Sequence, residues 1–114
     1  MKSTQVIKAL SALAQDSRLK VFRLLIQSGP QGLSVGKIAE HVDIAPATLS
    51  FHLKELTIAG LLISRQEGRY VIYVANFAAM NDLIEFLTEN CCGGNPCTTA
   101  VTCDPGAATG KQFA

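Results

Sequence analysis

Residues 44–60 read I-A-P-A-T-L-S-F-H-L-K-E-L-T-I-A-G, and the fold turns on how this stretch is wound. Leu49, Leu53 and Leu56 recur at helical spacing and Gly60 ends the row, so they form one apolar stripe that must be covered. At roughly 100° per residue, Ala47, Thr48, Ser50, Phe51, Lys54 and Glu55 spread over the opposite arc. Small residues permit close approach, hydroxyls reach base edges or phosphates, and an exposed phenyl can touch a thymine methyl. The arc therefore has the chemistry of a helix that enters the major groove of DNA. The same pattern also suits a surface helix of an ordinary bundle in which a neighbour half covers Phe51, and the flanking segments decide between the two.

Upstream, Ser34 is placed to cap a helix through Ile38, Ala39 and Val42 that stops near Asp43. Residues 44–45 are then a tight connection, and Pro46 suits the first turn of the next helix. A short helix, a brief turn and a second helix that begins with small polar residues make a helix-turn-helix. Two further helices precede it. Residues 3–14 place Val6, Ile7, Leu10, Leu13 and Ala14 on an amphipathic pattern with Ser3 or Thr4 as the expected cap. A second helix starts at Asp16 or Ser17, runs through Leu19, Val21, Phe22, Leu24, Leu25 and Ile26, and stops before Gly29 and Pro30, with residues 31–33 as a loop.

After Gly60 the period changes. Residues 61–65 and 69–75 are rich in Ile, Val, Leu and Tyr, and Gln66, Glu67 and Gly68 between them predict a hairpin loop. Arg65 and Arg69 flank its tip, where they suit the wing of a winged helix lying over a DNA backbone, although charges also serve simply to blunt a hairpin edge. Residues 77–89 return to helical spacing through Phe77, Met80, Leu83, Ile84 and Leu87, with Ala78, Ala79 and Phe86 on a second apolar face. A last helix that is apolar on both sides predicts a dimer contact shared with the first helix. Two recognition helices about 34 Å apart would then meet successive major grooves of double-stranded operator DNA. The expected fold is mainly α with a β-hairpin: a winged helix-turn-helix of about five helices plus a two-stranded wing. Residues 1–90 would form the DNA-binding and dimerisation domain and residues 91–114 a flexible tail.

Composition bounds the function classes. At 114 residues, 48% hydrophobic and 17% charged, the chain predicts one domain with a core. A net charge of +1 gives no global basic signal, so DNA affinity must come from a few placed cations. The start, M-K-S-T-Q-V-I-K, lacks a signal-peptide pattern, and no segment reaches the ~18 apolar residues of a membrane span. The expected location is cytoplasmic, with no membrane partner. No Ser/His/Asp set or glycine-rich phosphate loop is present, and His41 and His52 each have a structural explanation, so an enzyme is not expected. A winged-helix module that uses the Phe51 face for a protein partner is the alternative from another class.

Four cysteines fall in the tail C-C-G-G-N-P-C-T-T-A-V-T-C, where a reducing cytoplasm argues against structural disulfides. Adjacent Cys91 and Cys92 have α-carbons ~3.8 Å apart, below the ~4.4 Å of ordinary disulfide geometry. Gly93, Gly94 and Pro96 let the chain double back and bring Cys97 to the same point, with Cys103 as a spare. Three converging sulfurs suit As(III) or Sb(III), or failing those Cd, Pb or Hg. A four-thiolate zinc knot is the competing arrangement, although zinc sites usually draw on spaced pairs. A peroxide sensor fits less well, because a helix C-terminus raises the pKa of a nearby thiol.

Taken together, L-A-Q-D-S-R-L-K-V-F-R-L-L, L-S-F-H-L-K-E-L-T-I-A-G-L-L and R-Q-E-G-R-Y-V-I-Y resemble the ArsR family of metal- and metalloid-sensing winged-helix repressors, over residues 7–87. The resemblance implies a homodimer that binds an operator and lets go when its inducer binds. It associates Ser50 and His52 with DNA contact and Arg69 with the wing arginine. Many arsenic sensors of the family carry a Cys-x-Cys pair on the helix before the turn, where residues 33–38 here have no thiol. Another branch uses an adjacent cysteine pair and a third cysteine after the last helix, which T-E-N-C-C-G-G-N-P-C resembles. The zinc-sensing branch uses histidine and carboxylate ligands on its last helix, where this chain has only Asp82, Glu85 and Glu89. The expectation is a metalloid-responsive repressor with ligands Cys91, Cys92 and Cys97 and DNA contacts from Ala47, Thr48, Ser50, Phe51, His52, Lys54, Arg65 and Arg69.

Overall fold

In the computed structural model, residues 1–94 are described, and they form five α-helices and a three-stranded antiparallel sheet. Helix α1 (Ser3–Leu13) begins without a serine or threonine cap; instead the Gln5 side-chain oxygen accepts from the Lys2 N–H at 2.9 Å. It buries Val6, Ala9 and Ala12 and leaves Ile7 63% exposed and Leu10 41%. The larger apolar residues of the predicted stripe thus point partly outward. The small-residue face lets α1 lie close against α2 and α4.

Helix α2 (Asp16–Ser28) starts where the sequence indicated, capped by the Gln15 side chain, which accepts from the Arg18 N–H at 2.9 Å. Its Val21, Phe22 and Leu25 lie at the centre of the core. Gly29 (φ 76°) ends it, and a single 3-10 turn (Gly29–Gln31) leads to a strand that periodicity did not announce, β1 (Leu33–Ser34). Two residues are too few for an alternation to register. The junction depends on Gly32: φ is 67°, and a Cβ there would collide with the Tyr73 carbonyl oxygen and the Val74 side chain.

Ser34 then caps α3 (Val35–Val42), its hydroxyl accepting from the Lys37 N–H at 3.3 Å, and Asp43 takes the left-handed conformation (φ 54°) that turns the chain. Helix α4 (Pro46–Ile58) follows with proline in its first turn, and Leu49, Leu53 and Leu56 are all buried. Strands β2 (Leu62–Glu67) and β3 (Tyr70–Ala75) pair from Leu62↔Ala75 to Glu67↔Tyr70. The hairpin is therefore tighter than its sequence suggested: Gly68 (φ 61°) and Arg69 alone make the turn. β1 pairs on the other side of β3, giving the order β1-β3-β2, so the expected two-stranded wing has a third strand at its base.

Helix α5 (Phe77–Leu87) is capped by Asn76, whose side-chain oxygen accepts from the Ala79 N–H at 3.1 Å. The Asn76 amide donates to the Gly60 carbonyl at 3.0 Å, tying the end of α4 to the start of α5. The helix stops two residues short of the expected end, where the Thr88 hydroxyl donates back to the Ile84 carbonyl at 2.8 Å. Only Leu83 of α5 is fully buried; Met80, Ile84 and Phe86 are half-buried and Leu87 is exposed. Among the described residues no helix is long and apolar enough to cross a membrane.

Candidate nucleic-acid interface

With its leucine stripe locked in the core, α4 turns Ala47, Thr48, Ser50, Phe51 and Lys54 to solvent, and Glu55 is half-buried at the edge of that face. The phenyl of Phe51 is 55% exposed. A phenyl ring in this position gives the face apolar surface of the kind that can touch a thymine methyl. The face offers two hydroxyls, a methyl, an apolar ring and one ammonium, a set able to meet base edges and phosphates.

His52 is not part of that face. It is 7% exposed, and its Nδ1 lies 3.4 Å from Nη1 of Arg18 on α2. The helical rotation explains the correction: His52 falls beside the buried stripe and not opposite it, so a ring there turns inward. The DNA contact expected of His52 therefore has no direct route in this structure. Its partner is a guanidinium on a neighbouring helix.

The two wing arginines also part company. Arg65 is engaged three ways: Nε donates to the Glu67 carboxylate, Nη1 to the Pro30 carbonyl at 3.3 Å and Nη2 to the Gln31 carbonyl at 2.9 Å. It fastens the wing to the turn after α2, and its charge is matched by Glu67. Arg69, in the two-residue turn, is exposed and makes no hydrogen bond or ion pair among the described residues. Of the two, Arg69 has its donors available for a phosphate.

In the sequence Arg18, with Lys20 and Arg23, is expected only to keep α2 soluble, yet it bridges three elements. Its Nε donates to the Ala12 carbonyl in the last turn of α1 at 2.7 Å, while its Nη1 meets His52. A signal was present: a cation in the first turn of a helix sits against the positive end of the dipole, so local rules disfavour it.

Beyond α5, Cys91–Gly94 make a short turn in which Asn90, Cys92 and Gly93 have positive φ. The Cys91 and Cys92 sulfurs are exposed and 3.6 Å apart. For an ion–sulfur bond of about 2.3 Å, that separation corresponds to a sulfur–ion–sulfur angle of about 100°, which suits a pyramidal or tetrahedral centre. The Cys92 sulfur is in a disulfide, contrary to the expectation of reduced thiols, so it would have to be reduced before holding an ion. Cys97 and Cys103 lie outside the described residues, and among the described residues no group of three or more His, Cys, Asp or Glu side chains stands together. Asp82, Glu85 and Glu89 on and after α5 are exposed.

Residues 13–65 match a helix-turn-helix domain family. An uncharacterized HTH-type transcriptional regulator of Bacillus subtilis, YceK, is 42% identical over 57% of this chain and 61% of its own length. A cadmium resistance transcriptional regulatory protein, a CadC homolog of Staphylococcus aureus, is 32% identical over 70% of this chain and 64% of its own. An arsenical resistance operon repressor of the same organism is 31% identical over 76% of this chain and 81% of its own. The chain thus spans less than two thirds of the length of the first two. Among solved structures, an ArsR-like transcriptional regulator from Rhodococcus sp. RHA1 shares the fold with a TM-score of 0.66 at 24% identity, over 74% of this chain and 76% of that one. A homodimeric winged helix-turn-helix domain of Mycobacterium bovis, a possible ArsR-family regulator, superposes with a TM-score of 0.61 at 27% identity, over 81% of this chain and 85% of that one.

Proposed function

The chain belongs to the ArsR family of winged helix-turn-helix repressors, and from that membership we propose that it binds operator DNA as a homodimer and is released when As(III) or Sb(III) binds cysteines after α5. The observation that carries the DNA half is the outward face of α4, where Ala47, Thr48, Ser50, Phe51 and Lys54 stand on a helix whose other side is fixed by three buried leucines. Arg69 at the wing tip adds a phosphate contact on the flank. Exposed Ile7, Leu10 and Leu87, with half-buried Ile84 and Phe86, supply apolar surface on α1 and α5 for the second subunit.

For the sensing half, Cys91 and Cys92 are the first ligands and Cys97 the third, with Cys103 in reserve. The support is the adjacent cysteine pair directly after the helix proposed for the dimer contact, the absence of thiols on α3, and the arsenical resistance relative. Residues 1–90 act as the DNA-binding and dimerisation unit and residues 91–114 as the cysteine-bearing appendage, in a cytoplasmic protein. Ion capture draws the appendage against α5 and changes the spacing of the two recognition helices; a hundredfold loss of operator affinity requires only ~2.7 kcal/mol of coupling. The cadmium resistance relative favours a second reading in which a thiophilic divalent cation is the inducer.

A gel-shift titration of the reduced full chain on its own upstream DNA tests both halves. Arsenite or antimonite should release the DNA at lower concentration than cadmium, and zinc should not. Release by cadmium alone selects the second reading, and absence of any retarded complex overturns the DNA assignment.

A further inference from the structure

A line of polar and aromatic contacts runs from the end of α1 to the solvent face of α4. It begins at the Ala12 carbonyl, which accepts from Arg18 Nε at 2.7 Å. Arg18 Nη1 then lies 3.4 Å from His52 Nδ1. A guanidinium has donors and no acceptor, so Nδ1 must be the acceptor and the proton of the neutral ring sits on Nε2. The His52 ring in turn meets the Phe51 ring edge to face, with centroids 5.7 Å apart and planes at 61°. Phe51 ends the line in solvent, among the groups proposed to enter the groove.

We propose that Arg18 and His52 are positioning residues for DNA recognition: together they clamp α4 to the end of α1 and set the angle at which Phe51 is presented. The inference rests on the DNA reading above for its functional consequence, but not for its geometry. Several features of the site agree with it. The first turn of α2 is unfavourable for a cation unless a tertiary contact compensates, and Arg18 has two. A histidine buried beside the leucine stripe needs a polar partner, and among the described residues Arg18 is the one it has. Because α1 also carries the outward Ile7 and Leu10, the clamp ties the recognition helix to the helix proposed for subunit contact.

The chain's other histidine provides an internal contrast. His41 Nδ1 lies 2.8 Å from the Lys37 carbonyl, which can only accept, so His41 carries its proton on Nδ1. In the full chain labelled with ¹⁵N-histidine and held above the ordinary histidine pKa, the nitrogen shifts should report the Nε2–H tautomer for His52 and the Nδ1–H tautomer for His41. Arg18→Met should release His52 toward a mixture.

On operator DNA, Arg18→Met and His52→Leu should each weaken binding by about tenfold, and the double variant should be no worse than the poorer single one. His52→Asn places an amide oxygen near the Nδ1 position and should retain affinity within about threefold. An Nδ1–H tautomer at His52, additive losses in the double variant, or a His52→Asn protein as weak as His52→Leu would each overturn the clamp. If the wild-type chain ignores its promoter DNA, the DNA reading fails separately, and the tautomer of His52 with its response to Arg18→Met then judges the clamp alone.

Discussion

Replacing the wing arginines one at a time separates a phosphate contact from a structural tie. Arg69 is exposed without a hydrogen bond or ion pair among the described residues, whereas Arg65 is held by Glu67, Pro30 and Gln31. Each phosphate neutralised contributes about 0.9 to the slope of log affinity against log salt, so Arg69→Ala in both subunits of a dimer should flatten that slope by about 1.8. Between about 50 and 200 mM salt, a fourfold change, the variant's deficit should shrink by about twelvefold, since four raised to the power 1.8 is about 12. Arg65→Ala should instead leave the slope nearly unchanged and lower the stability of the wing by about 0.5–1 kcal/mol, because the contacts it loses to Glu67 and two carbonyls are exposed and water takes its place. Fluorescence anisotropy of labelled upstream DNA over that salt range, with a urea melt of each variant, supplies both quantities. An unchanged slope for Arg69→Ala, or an equal flattening for Arg65→Ala, would refute the assignment of these two side chains.

Three further outcomes follow from the same contacts. Cys92→Ser should bind operator DNA with wild-type affinity and no longer be released by arsenite in the gel-shift assay; normal release would remove Cys92 from the ligand set. Gly32→Ala should destabilise the fold by more than about 2 kcal/mol in chemical denaturation, since positive φ and a collision with the Tyr73 backbone act together, and a change under about 0.5 kcal/mol would contradict the packing described for the β1 junction. Asn76→Ala removes the cap of α5 and the bond to Gly60 at once, and should cost about 1–2 kcal/mol in the same measurement; a neutral result would show that neither bond persists in solution.

Much of the architecture was legible in the order of residues alone. The stripe Leu49, Leu53 and Leu56 announced which side of α4 is covered, Ser34 announced the start of α3, and the change of period after Gly60 announced the hairpin. These features are written locally: a helix repeats every 3.6 residues, a strand every two, and a cap needs only a hydroxyl at one position. The exposed members of the candidate interface follow from the same arithmetic, because the arc opposite a buried stripe is outward by construction.

What only the tertiary structure decided concerns choices that local pattern leaves equal. The pattern of α1 put Ile7 and Leu10 on its apolar stripe, yet the face of Val6, Ala9 and Ala12 went inward because small residues allow close approach to α2 and α4, and Ile7 and Leu10 remained largely outside. His52 and Lys54 stand two positions apart on one helix, yet the first is buried against Arg18 and the second is exposed. Arg65 and Arg69 belong to the same residue type, and partners 34 and 35 positions upstream take the first and leave the second to solvent. Sequence periodicity therefore determines which side of each element is apolar. The partner of a given polar group depends on which distant segment is folded next to it, and that information exists only once the chain is packed.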